Sequence, residues 1–403
     1  MNSFLKHYLR WSFLSALAGI MAGISAAVFL ISLQWVTNAH DLNPFLIWGL
    51  PIAGFAIGYM YHHYGRDISA GTNLILDEIH DPKKIIPVSM GPMILVSTLL
   101  THLFGGSVGR EGTAVQMSAS FADQLSRIFK VNNEERKFLL AAGAGAGFGA
   151  AIGAPWAGVI FGMEMIHVGR LKPFAWFQSL IASFVGYYTA ILIGAHHTDY
   201  GRVLVPAFDL QIIFFALIAG IIFGGAARVF IILTHFVEHF QQKFISYPPL
   251  KPFVGGLLLV ALYNIEGSYR YVGLGIPAIQ QALQDTASFA DPIFKTLFTS
   301  LTIGTGFKGG EFVPLVFIGT TLGSALSLLL PVSFKILAAV GFAAVFAGAS
   351  NTPIACSVMA IEIFGLPIAP YAIVACFASY HFSGVRGIYK SQKVIQKKFF
   401  NLL

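Results

Sequence analysis

The chain reads as an all-α integral membrane protein built from two inverted-topology repeats whose helices are broken inside the membrane. Composition, an internal duplication and glycine-rich interruptions of the apolar pattern each predict this. Of 403 residues, 56% are hydrophobic and 11% charged, with a mean hydropathy of +0.73, whereas soluble domains carry roughly 25% charged residues. Stretches free of Asp, Glu, Lys and Arg run from Trp11 to His40, Leu42 to Gly65, Val88 to Gly109, Phe138 to Met163, Pro173 to Thr198, Phe312 to Phe334, Ile336 to Ile361 and Ile363 to Val385. Each reaches the roughly 20 residues that cross a bilayer as helix, and about ten crossings fit the chain. A porin-type barrel is excluded, because its strands alternate polar and apolar residues over roughly 10 positions.

Net charge is 25 − 18 = +7. The basic residues gather at the ends and in short loops, which is a topology signal and not a nucleic-acid surface. Lys6 and Arg10 open the chain and Lys390, Lys393, Lys397 and Lys398 close it, while the stretch His196 to Asp209 holds only Arg202. Both termini are therefore expected in the cytoplasm, in a multi-pass protein of the plasma membrane, with the mid-chain junction outside. The first apolar stretch reads as a retained helix and not a cleaved signal. Cys356 and Cys376 lie in apolar segments and read as packing residues, without disulfide or metal spacing.

The duplication is in register. Leu17, Ala18, Gly19, Gly23, Ala26, Phe29 and Ile31 recur 201 residues on as Ile218, Ala219, Gly220, Gly224, Ala227, Phe230 and Ile232, and Pro51 and Gly54 recur as Pro252 and Gly255. Gly109-Arg110-Glu111 answers Gly309-Gly310-Glu311, and Pro155 with Glu164 answers Pro353 with Glu362. With the junction outside and both ends inside, each repeat crosses an odd number of times, so the halves are inverted copies. The whole chain, 1–403, is expected to be one transmembrane transport domain, with repeats of about 1–200 and 201–403 and no soluble regulatory domain after the last helix.

The helices break where glycine interrupts apolar sequence. Phe104-Gly105-Gly106-Ser107-Val108-Gly109-Arg110-Glu111-Gly112-Thr113 cannot continue a stable helix. Gly304 to Pro314 does the same in the second repeat, and Ala70-Gly71-Thr72-Asn73-Leu74-Ile75 forms a third break. Irregular backbone survives at membrane depth only where protein or a polar cavity surrounds it. A helix that starts there aims unpaired N–H groups and about half a positive charge at what precedes it, so converging starts make an anion site. The run Ala141 to Ala151 reads instead as a small-residue packing surface.

Glu111 and Glu311 stand at equivalent breaks, where an ionised carboxylate costs several kcal/mol and needs a reason. Glu111 can occupy the anion site as a tethered carboxylate and leave when protonated; for each of the two glutamates a helix cap or an ion pair with Arg110 or Lys308 is the structural alternative. Glu164 and Glu362, nine residues after equivalent prolines, read as structural. The pairs His62-His63 and His196-His197 read as solvated loop residues.

These residues resemble the CLC family of anion channels and proton-coupled anion antiporters, over nearly the whole chain. Gly109-Arg110-Glu111-Gly112-Thr113 is similar to that family's GREGP segment with its gating glutamate, Gly310-Glu311-Phe312-Val313-Pro314 falls on its GxFxP segment, and Ala154-Pro155-Trp156-Ala157-Gly158 resembles the following alanine-proline stretch. Tyr389 matches the tyrosine that helps hold the central anion. The resemblance implies a homodimer with one pathway per subunit, and no cofactor.

Three departures resemble the bacterial fluoride-proton antiporter branch. Gly71-Thr72-Asn73 replaces the segment that supplies a serine in chloride members, Met165 stands at the usual inner proton station, and Glu311 follows Phe307-Lys308 where chloride members are neutral. Val313 stands where some fluoride members carry a hydroxyl residue. The implied activity is export of cytoplasmic fluoride against proton entry. Glu111 and Glu311 would gate and move protons, with Thr72, Asn73, Tyr389, Phe312 and Val313 at the anion and Gly71, Gly109, Arg110, Gly112 and Gly310 shaping the backbone. Rival readings are a chloride or nitrate antiporter or channel of the same family, an intramembrane enzyme using the two acids, and a membrane scaffold. Thr72 and Glu311 argue against the first, and no nucleophile or metal set accompanies the second.

Overall fold

The computed structural model describes residues 3–205, 208–396 and 398; Lys397, counted above among the closing basic residues, lies outside the described residues. Among the described residues sixteen α-helices fall into two sets of eight. The first set is α1 (Ser3–Leu42), α2 (Leu50–Tyr64), α3 (Thr72–His80), α4 (Met90–Leu103), α5 (Glu111–Ile128), α6 (Asn133–Ile152), α7 (Pro155–Glu164) and α8 (Trp176–Ile193). The second is α9 (Leu210–Phe244), α10 (Leu250–Glu266), α11 (Ile276–Ala282), α12 (Ala290–Gly304), α13 (Phe312–Leu326), α14 (Phe334–Ser350), α15 (Pro353–Phe364) and α16 (Ala369–Phe382). Packing repeats with the order: α1 lies on α8 as α9 lies on α16, α5 on α6 as α13 on α14, and α6 on α7 as α14 on α15. The sets meet through like elements, α2 on α10 and α7 on α15. This is the all-α, two-repeat architecture with broken helices that the sequence predicts.

Helix length divides the fold into a shell and a centre. Leu5–Leu42, Pro44–Tyr64, Trp176–Ile193 and Leu210–Phe244 are long and apolar enough to cross a membrane. At 1.5 Å per residue, α1 extends about 60 Å, twice the hydrocarbon thickness, whereas the 15-residue α13 reaches only about 22 Å. Short helices are stable at the centre because other protein surrounds their ends. The apolar stretch Phe138 to Met163, counted above as one crossing, is two helices that part at Gly153-Ala154, and Ile336 to Ile361 parts in the same way at Asn351-Thr352. Gly153 (φ 88) and Asn351 (φ 61) take the left-handed conformation that ends a helix, and the proline that follows starts the next.

Glu164 and Glu362 explain how these inner ends are satisfied. Glu164 accepts hydrogen bonds from the Ile354 and Ala355 N–H groups at 3.0 and 2.7 Å, the open end of α15. Glu362 accepts from Trp156 and Ala157 at 2.9 and 2.8 Å, the open end of α7. Each repeat thus caps a helix of the other, a charge-assisted arrangement that also neutralises the positive end of each helix.

Small residues draw the helices together as expected for Ala141 to Ala151, which is wholly buried. A Cβ at Gly145 would run into the Gly158 carbonyl, and one at Gly319 into the Gly341 carbonyl. Cys356 and Cys376 are buried free thiols. A two-residue parallel ladder pairs β1 (His167–Val168) with β2 (Lys393–Val394) and ties the segment after α16 to the one after α7.

Candidate functional site

The two long breaks join each other. Gly109 N–H donates to the Gly310 carbonyl at 2.5 Å and Gly310 N–H returns to the Gly109 carbonyl at 2.8 Å, so α5 and α13 start back to back. Neither glycine has room for a side chain: a Cβ on Gly310 would lie 2.8 Å from the Gly112 nitrogen, and one on Gly109 3.0 Å from the Val313 nitrogen. The third break delivers α3 to the same place. Gly71, at φ 59 and ψ −127, turns the chain into Thr72 in a conformation that glycine adopts without penalty.

A cavity of about 640 Å³ opens beside these starts and is lined by Gly71, Thr72, Asn73, Gln116, Lys308, Glu311 and Tyr389. A Cβ on Gly112 would stand 3.9 Å from Glu311 Oε2, so the Glu311 carboxyl lies against the first turn of α5. Glu311 is the N-cap of α13 but its side chain makes no capping bond, which leaves it to the cavity. Glu111 turns elsewhere. It is 1% exposed and its carboxylate is paired with Arg110 Nε at 3.1 Å while accepting the Arg110 N–H at 3.3 Å. The Arg110 guanidinium reaches Thr198 Oγ1 at 3.4 Å, in the junction between the halves. The two glutamates, equivalent in sequence, thus have different surroundings: one a buried ion pair on the junction side, the other an open cavity.

The remaining candidate residues divide between cavity and support. Asn73 Oδ1 accepts the Ser391 N–H at 3.0 Å and so fastens the segment that carries Tyr389. Tyr389 lines the cavity with its ring 6.5 Å from Phe161. Phe312 and Val313 are buried and their side chains are not among the lining groups. Phe312 packs edge-on against Phe346 and Phe148, at 4.7 and 5.6 Å, behind the start of α13. At Met165, its carbonyl is held by Gln392 Nε2 at 2.9 Å, and Gln392 also takes the Ser350 carbonyl at 2.8 Å.

Some groups escape the sequence reading. Gln116 lines the cavity and donates to Thr72 Oγ1 at 3.4 Å; its signal was the one amide in the first half of α5. Arg136 is buried among Asp123, at 2.6 and 2.7 Å, Glu78 at 2.7 Å and the Lys84 carbonyl at 2.7 Å. It therefore locks α3 and α5, whose starts form the site, at their far ends. The histidine pairs meet the solvated-loop expectation only in part: His196 is exposed in the loop after α8 and His63 is exposed, but the other two are not. His62 and His63 belong to the last turn of α2, and His197 is half-buried with Nε2 2.7 Å from the Ala150 carbonyl.

Short helices that bring three starts together beside one polar cavity, inside a shell of long apolar helices, define a membrane transport protein. Comparison with known proteins narrows the class. The family described as voltage gated chloride channel matches residues 53–384. A chloride/fluoride channel protein of Pseudomonas syringae pv. tomato is 46% identical over 98% of this chain and 88% of its own length. The H(+)/Cl(-) exchange transporter ClcA of Vibrio cholerae serotype O1 is 30% identical over 87% and 81%. Among solved structures, a CLC-type fluoride/proton antiporter superposes with a TM-score of 0.93 at 30% identity, covering 98% of this chain and all of the other. The chain belongs to the voltage gated chloride channel, or CLC, family.

Proposed function

We propose that this protein is a fluoride/proton antiporter that exports cytoplasmic fluoride in exchange for protons, and that it is a transporter and not an enzyme. The observation that carries the reading is Glu311: a carboxyl group without a capping bond, on an open cavity, against the start of α5. The likeness to a solved fluoride/proton antiporter supports it. Fluoride is the base of a weak acid, so in acid surroundings the neutral acid enters and ionises inside, and export must run uphill. Proton entry supplies the drive, provided no state leaks both ions.

In this mechanism Glu111 is the gate. Ionised, it occupies the start of α5 beside Arg110; protonated, it loses the ion pair, leaves, and frees the amides for fluoride. Glu311 takes the proton on the cavity side, replacing the station absent at Met165, and donates a hydrogen bond to fluoride when neutral. Thr72, Tyr389 and the backbone N–H groups of 311–313 replace the anion's water, Asn73 holds Tyr389 in place, and Gly71, Gly109, Arg110, Gly112 and Gly310 give the path its shape. The chain acts as one transport domain with repeats of about 1–200 and 201–403, two copies forming a homodimer in the plasma membrane.

Both termini face the cytoplasm in this reading. Support comes from one face that gathers Arg10 paired with Glu135, Lys83, Lys84, Arg136 and Lys393, while the junction holds Arg202.

Reconstituted vesicles test the function, with a fluoride electrode inside one arm and a pH indicator in the other. An imposed proton gradient should drive fluoride uphill, with proton uptake in fixed ratio, and Glu311→Ala should carry fluoride without protons. The name of the Pseudomonas relative favours a second reading, a channel. Fluoride flux without proton movement in the parent, or intact coupling in Glu311→Ala, would overturn the antiport mechanism, and the former result would establish the channel. Light scattering of the purified protein, giving the mass of one or two copies, tests the dimer.

A further inference from the structure

Lys308 lies three residues before Glu311 and lines the same cavity. Its ammonium has sparse company. It donates one hydrogen bond of 3.4 Å to the Ser69 carbonyl and stands 4.3 Å from the centre of the Tyr61 ring. Among the described residues no carboxylate forms an ion pair with it. Of the other cations on the cavity, Lys390 pairs with Glu238 at 2.6 Å, Arg66 Nε donates to the His62 carbonyl at 2.8 Å, and Lys251 lines the wall farther from Glu311 in sequence. An ammonium has three donors, and one taken out of bulk water needs a partner of opposite charge to offset its desolvation. The Gln116 amide and the Thr72 hydroxyl are neutral donors lining the same cavity.

We propose that Lys308 holds a small monovalent anion in this cavity before the anion reaches the break, with Gln116 and Thr72 as its neutral partners. On this cavity Lys308 is the cation three residues from Glu311. An anion and an ionised Glu311 compete for one counter-charge, so presence of both is costly, and arrival of the anion favours proton uptake by Glu311. This deepens the fluoride/proton reading and rests on it.

The test is the concentration of fluoride at half-maximal efflux from vesicles, for the parent and for K308M, K308R and K308C. K308M is expected to raise it about tenfold and K308R to return it to within about threefold of the parent. After purification, K308C should recover on reaction with a 2-aminoethyl methanethiosulfonate, which restores an ammonium, and should worsen with the 2-sulfonatoethyl reagent. The native thiols of Cys356 and Cys376 are buried. Half-saturation unchanged in K308M, or equal responses of K308C to both reagents, would overturn the proposal and reduce Lys308 to a packing group. If K308M fails to fold, the K308C pair decides. A parent that moves chloride but not fluoride would sink the substrate assignment alone; the Lys308 effect would then be read on chloride half-saturation.

Discussion

Replacing Glu164 by alanine separates a structural acid from a proton carrier. The substitution removes both acceptors from the Ile354 and Ala355 N–H groups, bonded at 3.0 and 2.7 Å. Glu164 is 4% exposed and Ala355 1%, so water cannot readily take its place. Each buried donor left without a partner costs about 1–3 kcal/mol, and because Ile354 is only half-buried the pair should cost about 3 kcal/mol. For a chain of this size, at about 2 °C per kcal/mol, the melting temperature should fall by about 6 °C. Glu164→Gln keeps one acceptor oxygen and should lose about half as much. Glu362→Ala breaks the matching bonds of 2.9 and 2.8 Å on α7, but Trp156 is 48% exposed, so the loss there should be smaller. Melting curves in detergent, followed by intrinsic fluorescence, give the shift, and proton-to-fluoride ratios in vesicles should not change. A Glu164→Ala protein as stable as the parent, or one that melts normally yet no longer moves protons, would refute the capping argument.

Three further outcomes follow from the same geometry. Glu111→Gln cannot sustain the 3.1 Å ion pair with Arg110, so fluoride flux should persist without protons and lose its dependence on pH; a coupled Glu111→Gln protein contradicts the gate. Arg136→Met strands Asp123 and Glu78 in buried surroundings, which should cost about 3–5 kcal/mol, with part recovered by adding Asp123→Asn; no recovery in the double variant would show that the loss is one of packing. His167 lies outside the spans, and burial, aided by the nearby His80 ring, Lys172 and Lys393, pushes its imidazole down to about 4. The folded chain then binds fewer protons than the unfolded one below about pH 6.5, so this contribution is whole above that pH and drains away as pH falls toward 4. His167→Gln should flatten that part of the curve of melting temperature against pH, and an unaltered slope counts against the assignment.

Much of the site was legible because its signals are local. Glycine at Gly71, Gly109 and Gly310 marks backbone that no side chain can accompany, and the equivalent spacing of Pro155 with Glu164 and Pro353 with Glu362 marks paired helix starts. Apolar length was a poorer guide. Phe138 to Met163 has the hydropathy of one crossing whether it forms one helix or two, since transfer energy sums over residues and ignores where the chain turns. Gln116 and Arg136 were missed for another reason. Their meaning lies in partners 44 and 58 residues away, which no window along the chain contains.

Membrane residence, the duplication and the positions of the breaks belong to the sequence alone, because they rest on side-chain transfer energies and on backbone freedom, residue by residue. Tertiary structure decided the division of labour between Glu111 and Glu311. Both stand at the same point of their repeats, yet Arg110 beside one and Gly310 beside the other send the first into a buried ion pair and leave the second on the cavity. Packing of the two halves against each other, through the Gly109 and Gly310 bridge and the crossed glutamate caps, determines which helix starts face that cavity.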